Sequence, residues 1–374
     1  MTENKKNRLN DEQQAVVNYT DGPLQVVAGA GSGKTTVLMD RTQNIIGSRA
    51  MPSEILIVTF TKKAANEIKE RLEAKIGEKG KEVNAGTFHS VCLQRILKRY
   101  ADEEFLNSVG LKEKWESIDQ KDQSKLIKSS LKDMTDEDKI FMEEENITPR
   151  KFESFLSLVR SMGIQRDEYR EEKRKIIDSE DIDNPLYSIN EYMEGEGIKD
   201  FTKFEDAALR FWERYEQICR SKNAIDFDDI LLLSCKLLEE KDDISKKLSE
   251  EWKYIMLDEY QDTNIVQMRI MDSVAKYHKN ICVVGDDQQS IYAFRGSNIG
   301  VIRGFKNRYP EAKIMNLSYN YRSTAEILLA SNRLAEVMPN RLSDKYLKTP
   351  LNKHNDRPEA VSYTHLTLPT IYSV

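Results

Sequence analysis

VVAGAGSGKTT, residues 26–36, decides how the rest of the chain is read. The apolar run LQVVAG (24–29) ends in glycine, and a helix-compatible segment, TTVLMDRTQNII, follows the loop. Strand, glycine-rich turn and helix in that order build a phosphate cradle. Glycines let backbone N–H groups face an anion, and the helix N-terminus adds the positive end of its dipole. Ala28, Gly29, Ala30, Gly31, Ser32 and Gly33 form the loop, with Thr36 just inside the helix. Lys34 is placed to reach the β- and γ-phosphates of a nucleotide such as ATP, and the Thr35 hydroxyl to ligate Mg²⁺. One position departs from the pattern GxxxxGK(S/T): its first residue is Ala28.

The partner signal is YIMLDEYQDTN (254–264), an apolar strand that ends in Asp258 and Glu259. In open α/β sheets ligands bind beyond the carboxyl ends of the strands, where both side chains can turn toward the crevice. Phosphoryl transfer to water needs a charge that holds the metal and a group that orients the attacking water. Asp258 suits the first role, acting on Mg²⁺ from beyond its direct ligands, and Glu259 suits the second.

Strand signals recur at ILIVTF (55–60), EWKYIMLDEY (251–260), KNICVVGDD (279–287) and AKIMNLSYN (312–320). Charged amphipathic stretches such as KKAANEIKERLEAKI lie between them. That alternation implies an α/β fold, a parallel sheet covered on both faces. Between about Tyr100 and Asn223 the chain is highly charged, with apolar residues at helical spacing (FESFLSLVRSM, FEDAALRFWERYEQI), which reads as an inserted helical subdomain.

The 374 residues leave room for two or three domains. With 39% hydrophobic and 32% charged residues the chain reads as globular rather than disordered. No apolar run approaches the ~18–20 residues of a membrane span, and MTENKKNRLNDEQQ contains no secretory signal. Cys92, Cys219, Cys235 and Cys282 form no CxxC pair and are expected to be buried thiols in a reducing cytoplasm, not zinc ligands. The net charge of -6 argues against nucleic-acid binding through overall charge. A local basic groove stays open, because phosphate contacts act over a Debye length of ~8–10 Å. VSYTHLTLPT (361–370) is encoded by GTCTCTTATACACATCTGACGCTGCCGACG, which looks like the end of a transposase-based sequencing adapter. On that reading Val361–Val374 is not native and the natural chain continues beyond about Glu359; the alternative is a genuine polar tail.

These residues resemble UvrD/Rep/PcrA-type superfamily 1A DNA helicases across roughly 1–359. LNDEQQAVV resembles the Q motif, ILIVTFTKKAANEIKERL motif Ia, AGTFHSVCLQRIL motif Ib, VVGDDQQSIYAFRGS motif III and LSYNYRSTAEIL motif IV, while AIDFDDILLL marks the return from the insertion. The resemblance implies that Gln13 bonds the adenine edge, that Tyr321 stacks on the base, and that Arg41 lies against the same base. It implies that Gln289 senses the γ-phosphate, and that Arg322 reaches the phosphates from a neighbouring domain, its planar fork suited to their oxygens. Phe60, Tyr292 and Phe294 fall at positions that contact single-stranded DNA in the family, where stacking is sequence-tolerant and worth ~1–3 kcal/mol per base. For each phenylalanine, core packing is the competing reading. Thr61, Thr87, His89 and Arg295 are candidate backbone or phosphate contacts. Two positions depart from the family pattern: Phe294 stands where tryptophan is frequent, and Gln288 where many members have Asp, which puts any acidic role there in doubt.

The implied architecture is a RecA-like P-loop domain, 1A, at 1–98 and 224–311, interrupted by helical 1B at 99–223. A truncated second RecA-like domain, 2A, starts at 312–360. The implied activity is an ATP- and Mg²⁺-dependent DNA helicase or translocase, 3′→5′ by resemblance alone, acting on single-stranded DNA and its junctions with duplex in repair or replication. This chain by itself is expected to bind nucleotide weakly and unwind nothing. Three other readings stay open: a helicase subunit linked to a nuclease, a translocase that strips proteins from DNA, and a nucleotide-gated DNA-binding module without turnover.

Overall fold

The computed structural model describes residues 9–181, 184, 186–187, 189–293, 296–338, 341–342 and 345–350. Six strands form one parallel sheet: β1 (Leu24–Ala28), β2 (Ile55–Thr59), β3 (Asn84–Thr87), β6 (Tyr254–Leu257), β7 (Ile281–Gly285) and β8 (Lys313–Leu317), in the order β3-β2-β6-β7-β1-β8. Two further short strands, β4 (Glu116–Ser117) and β5 (Ala224–Ile225), pair with each other in parallel.

Alternate residues of each strand feed two cores, as the two-residue period of a strand requires. Ile55, Ile57, Met256, Cys282 and Val284 pack on one face under helices α1 (Asp11–Asn18), α2 (Lys34–Ser48) and α3 (Lys62–Ile76). Leu56, Val58, Ile255, Leu257, Ile281 and Val283 pack on the other face. Because both faces are covered, the four inner strands β1, β2, β6 and β7 read as largely apolar runs.

The inserted helical unit carries its own core. Helix α4 (Pro149–Ser161) and helix α5 (Phe201–Ser221) stack Phe152 on Phe204 with ring centroids 5.2 Å apart and on Phe211 at 5.1 Å. Phe152, Phe155, Phe204 and Phe211 are fully buried, and each such side chain contributes about 1.5–3 kcal/mol by leaving water. A buried charge cluster ties this unit to helix α6 (Phe227–Glu240). Arg160 Nη1 and Nη2 donate to the two carboxylate oxygens of Asp226, at 2.8 and 3.0 Å, and Nη2 also bonds Asp229. Asp226 in turn caps α6 and accepts from the Tyr215 hydroxyl at 2.8 Å. Burial works against the Asp226 charge, yet the Arg160 guanidinium outweighs it and holds the carboxyl below its usual range. Among the described residues no helix is long and apolar enough to cross a membrane. All four cysteines are buried free thiols.

Two segments make contacts across the expected boundaries. The segment expected to open a second domain at 312 instead supplies β8, which pairs with β1 from Leu24↔Lys313 to Ala28↔Leu317. As an edge strand it exposes Lys313, Ile314 and Asn316, so only its last residue carries a full core signal. At the other boundary, Phe105, Leu106 and Leu111 pack into the core beneath the sheet. Further along, β4 lies beside the returning β5.

Candidate nucleotide and nucleic-acid sites

Strand β1 ends at Ala28, and the chain turns through Gly31 and Gly33, both at positive φ (73° and 85°) where a Cβ would be strained. The turn is closed from within: Ser32 N and Oγ both donate to Gly29 O, at 3.2 and 2.8 Å. Gly33 caps α2 without a side-chain bond, so the first N–H groups of the helix lack the usual cap and are available to an anion. Lys34, Thr35 and Thr36 form the first helical turn.

The second half of the site comes from the end of β6. Glu259 takes the left-handed conformation (φ 50°), which turns it out of the strand. Its Oε2 lies 2.6 Å from Lys34 Nζ. Asp258 sits beside them, its backbone N donating to Val58 O at 3.1 Å and its Oδ1 accepting from Glu259 N at 3.0 Å. Burial, then the neighbouring Glu259 charge, pushes the Asp258 carboxyl up to about 6, and the same two causes raise Asp262 to about 6. Three acids therefore crowd one lysine. Asp262 Oδ1 is buried without a hydrogen-bond partner, and among the described residues no three acidic or imidazole groups converge to hold a metal by themselves. That donor set fits Mg²⁺, which keeps waters and takes phosphate oxygens alongside one or two protein ligands. Thr35 and Asp258 are the residues that would hold it.

Two side chains absent from the reading of the sequence join this centre. Gln261, buried, donates from Nε2 to Glu259 Oε2 at 2.9 Å and accepts at Oε1 from Asp286 N at 3.0 Å. Asp286 follows β7 and accepts from Gln289 Nε2 at 2.6 Å. Glu259, Gln261, Asp286 and Gln289 thus form one hydrogen-bonded chain across the strand ends. The spacing DEYQD and VVGDDQQ carries the residues, but nothing in their order shows that the amide of one motif bonds the backbone of the other.

The expected base-facing residues divide. Tyr321 is exposed, donates from its backbone N to Gly31 O at 2.9 Å and accepts at its hydroxyl from Asn10 Nδ2 at 2.7 Å. Gln13 is buried and braces the loop, donating from Nε2 to Ser32 O at 3.0 Å and accepting at Oε1 from Asn10 N at 3.1 Å. Arg41 is a correction. It is 1% exposed, and its Nη1 and Nη2 donate to Val16 O at 3.1 Å and Thr20 O at 2.9 Å. Helical periodicity turns position 41 inward, where it ties α1 to α2 and cannot lie against a base. Arg322 is exposed beside the loop: a Cβ on Gly31 would stand 2.7 Å from Arg322 Cβ. Buried Asn320 sets that approach, donating to Ala30 O at 2.5 Å and accepting from Arg322 N at 2.8 Å. The arginine expected from a neighbouring domain therefore follows β8 of the same sheet.

The aromatic residues gather at the same edge. Phe60 follows β2 and stacks on Tyr292, with centroids 5.4 Å apart and planes 24° from parallel. Thr61 and Thr87 cap helices, accepting from Ala64 N at 3.1 Å and Ser90 N at 3.2 Å. His89 meets Phe227 edge to face at 5.4 Å, and burial lowers its pKa, which favours the neutral imidazole. Phe227, 49% exposed at the start of α6, joins this edge although the sequence reading does not single it out. The signal was a phenylalanine at the first position of a helix, before the buried face begins. Phe294 and Arg295 lie outside the described residues.

A parallel sheet with a phosphate loop after β1 and a carboxylate pair after β6 defines a P-loop nucleotide-binding protein of the RecA-like kind. Residues 9–310 match the model of the UvrD/REP helicase N-terminal domain, and the chain belongs to that family. It is 35% identical over 329 residues to the ATP-dependent DNA helicase PcrA of Staphylococcus epidermidis, which covers 87% of this chain and 40% of the relative. The PcrA of Staphylococcus aureus is 34% identical over 332 residues, again with 88% and 40% covered. The chain thus spans about 40% of the length of these relatives.

Proposed function

We propose that the protein containing this chain is an ATP-dependent DNA helicase or translocase that moves along single-stranded DNA in repair or replication, 3′→5′ as in the family it resembles. One observation carries the reading. The Glu259–Gln261–Asp286–Gln289 chain runs from the carboxylate beside Lys34 into the loop that bears Tyr292, which stacks on Phe60. A change of nucleotide state at Lys34 therefore has a bonded route to an aromatic pair suited to gripping bases.

Lys34 holds the β- and γ-phosphates once its ammonium leaves Glu259, and the freed carboxylate orients the attacking water. Mg²⁺, when bound through Thr35 and Asp258, neutralises phosphate charge. Arg322 approaches the same phosphates, while Tyr321 offers a face to the base. Phe60, Tyr292 and Phe227, with Thr61, Thr87 and His89 beside them, form the proposed DNA track. In this reading the first motor domain runs through β8 to Leu317, and the helical insertion lies between Ser117 and Ala224. The four buried thiols fit a reducing, cytoplasmic setting.

The test is ATP hydrolysis by the complete protein with and without single-stranded DNA. DNA is expected to stimulate turnover strongly, and Lys34→Ala to lower it by about 100-fold or more. Turnover indifferent to DNA would refute the proposal.

A further inference from the structure

Residues 345–348 form a strap across the carboxyl-end edge of the sheet. Lys348 N donates to Ser318 O at 2.8 Å, and Asn320 N donates to Lys348 O at 2.7 Å, so the strap pairs with the chain just past β8. Leu347 covers the phosphate loop closely: a Cβ on Gly29 would stand 2.8 Å from its Cδ2. Asn332, on helix α7 (Ala325–Glu336), holds the strap from its other side. Its Oδ1 accepts from Leu347 N and its Nδ2 donates to Leu347 O, both at 3.0 Å. Lys345 points inward from the strap, buried, and its ammonium pairs with Asp286 Oδ1.

Asp286 is the junction of the bonded chain described above. Its Oδ2 accepts from Gln289 Nε2, its Oδ1 accepts from Gln288 N at 3.1 Å, and its backbone N donates to Gln261. A carboxylate this deeply buried is costly unless a cation and hydrogen bonds compensate it, and Lys345 is that cation. A carboxylate paired with an ammonium accepts hydrogen bonds and donates none. It therefore fixes the Gln289 amide with its NH₂ toward Asp286 and its carbonyl oxygen away.

We propose that Lys345 is a positioning residue of the nucleotide site. Through Asp286 it sets the orientation of the Gln289 amide and the seat of Gln261 beneath Glu259, and so tunes the preference of the site for a triphosphate over a diphosphate. The inference rests on the reading of Lys34, Glu259 and Gln289 as nucleotide-facing groups, and the test separates the two.

Binding of fluorescent ATPγS and ADP, each with Mg²⁺, is measured on the 374-residue chain. Lys345→Met is expected to reduce the ratio of triphosphate to diphosphate affinity about fivefold, the size of one misplaced hydrogen bond, with ADP affinity within about twofold of the parent. Because that variant leaves Asp286 buried without its cation, the doubly neutral Asp286→Asn/Lys345→Met chain is measured beside it and is expected to lose the same preference. An unchanged ratio in either folded variant, with only the melting temperature lowered, assigns Lys345 a packing role and overturns the proposal. Lys34→Ala is expected to weaken both nucleotides; if it weakens neither, the reading of the site fails rather than the role of Lys345.

Discussion

Lys34 Nζ and Glu259 Oε2 lie 2.6 Å apart although 225 residues separate them in sequence. The lysine side chain is 10% exposed and the glutamate 40%, so the pair stands at the mouth of the cleft, with the lysine on its inner side. The cation that would receive a phosphate is held, before any phosphate arrives, by the carboxylate that would position the water. On the proposed function, nucleotide entry breaks this pair, which would both seat the phosphates and free the base.

Glu259→Gln removes the competing charge while keeping the side-chain shape. A pair open to solvent on its glutamate side is worth about 1 kcal/mol once screening is allowed for, so a non-hydrolysable ATP analogue is expected to bind about fivefold more tightly. Turnover in the complete protein should fall by about 100-fold or more, because the water loses its orienting group. Titration calorimetry and a steady-state ATPase assay check the two halves; weaker analogue binding would show that Glu259 does not compete for Lys34.

The acid beside them has its own pH signature. Asp258 is raised to about 6 from 3.8, first by burial and then by Glu259. A raised carboxyl contributes stability that is fully present below pH 3.8 and is lost as pH rises through about 6. Asp258→Asn is then expected to stabilise the nucleotide-free chain by about 1–3 kcal/mol at pH 8 and by little at pH 4. Denaturant melts at the two pH values, without nucleotide or Mg²⁺, measure it. The same variant should weaken Mg²⁺-dependent nucleotide binding.

Phe227 is about half exposed and meets His89 edge to face. Phe227→Ala is expected to cost ~1–3 kcal/mol of single-stranded DNA affinity, the range for one stacked base. Stability should change by less than about 0.5 kcal/mol, because the ring covers little core. Fluorescence anisotropy with a labelled oligothymidine, beside a thermal melt, checks both; unchanged affinity would remove Phe227 from the DNA track.

Arg160 faces Asp226 and Asp229 in the interior. Arg160→Met is expected to destabilise the chain by about 3–5 kcal/mol, because it strands buried carboxylates rather than because the pair itself is worth so much. Asp226→Asn added to it should recover part of the loss. Chemical denaturation of the single and double variants tests this, and additive losses would dissolve the coupling.

The runs that became β1, β2, β6 and β7 were legible because a strand buried on both faces is apolar nearly throughout, a buried polar residue such as Gln25 needing its own hydrogen bond. The Lys34 loop and the Asp258–Glu259 pair were equally legible, since a phosphate cradle needs particular residue types in contiguous order. Strand β8 pairs with β1, a relation between strands that the half-exposed pattern of an edge strand does not encode. Arg41 was misassigned for a related reason: its guanidinium is useful to a base or to two backbone carbonyls alike, and only the packing of α1 on α2 chose the carbonyls. Gln261, Asp286, Lys345 and Phe227 gained meaning solely from their neighbours. Local order fixes which chemistry a backbone segment can offer, whereas a hydrogen bond between motifs depends on distances that exist only once the sheet has brought its strand ends together.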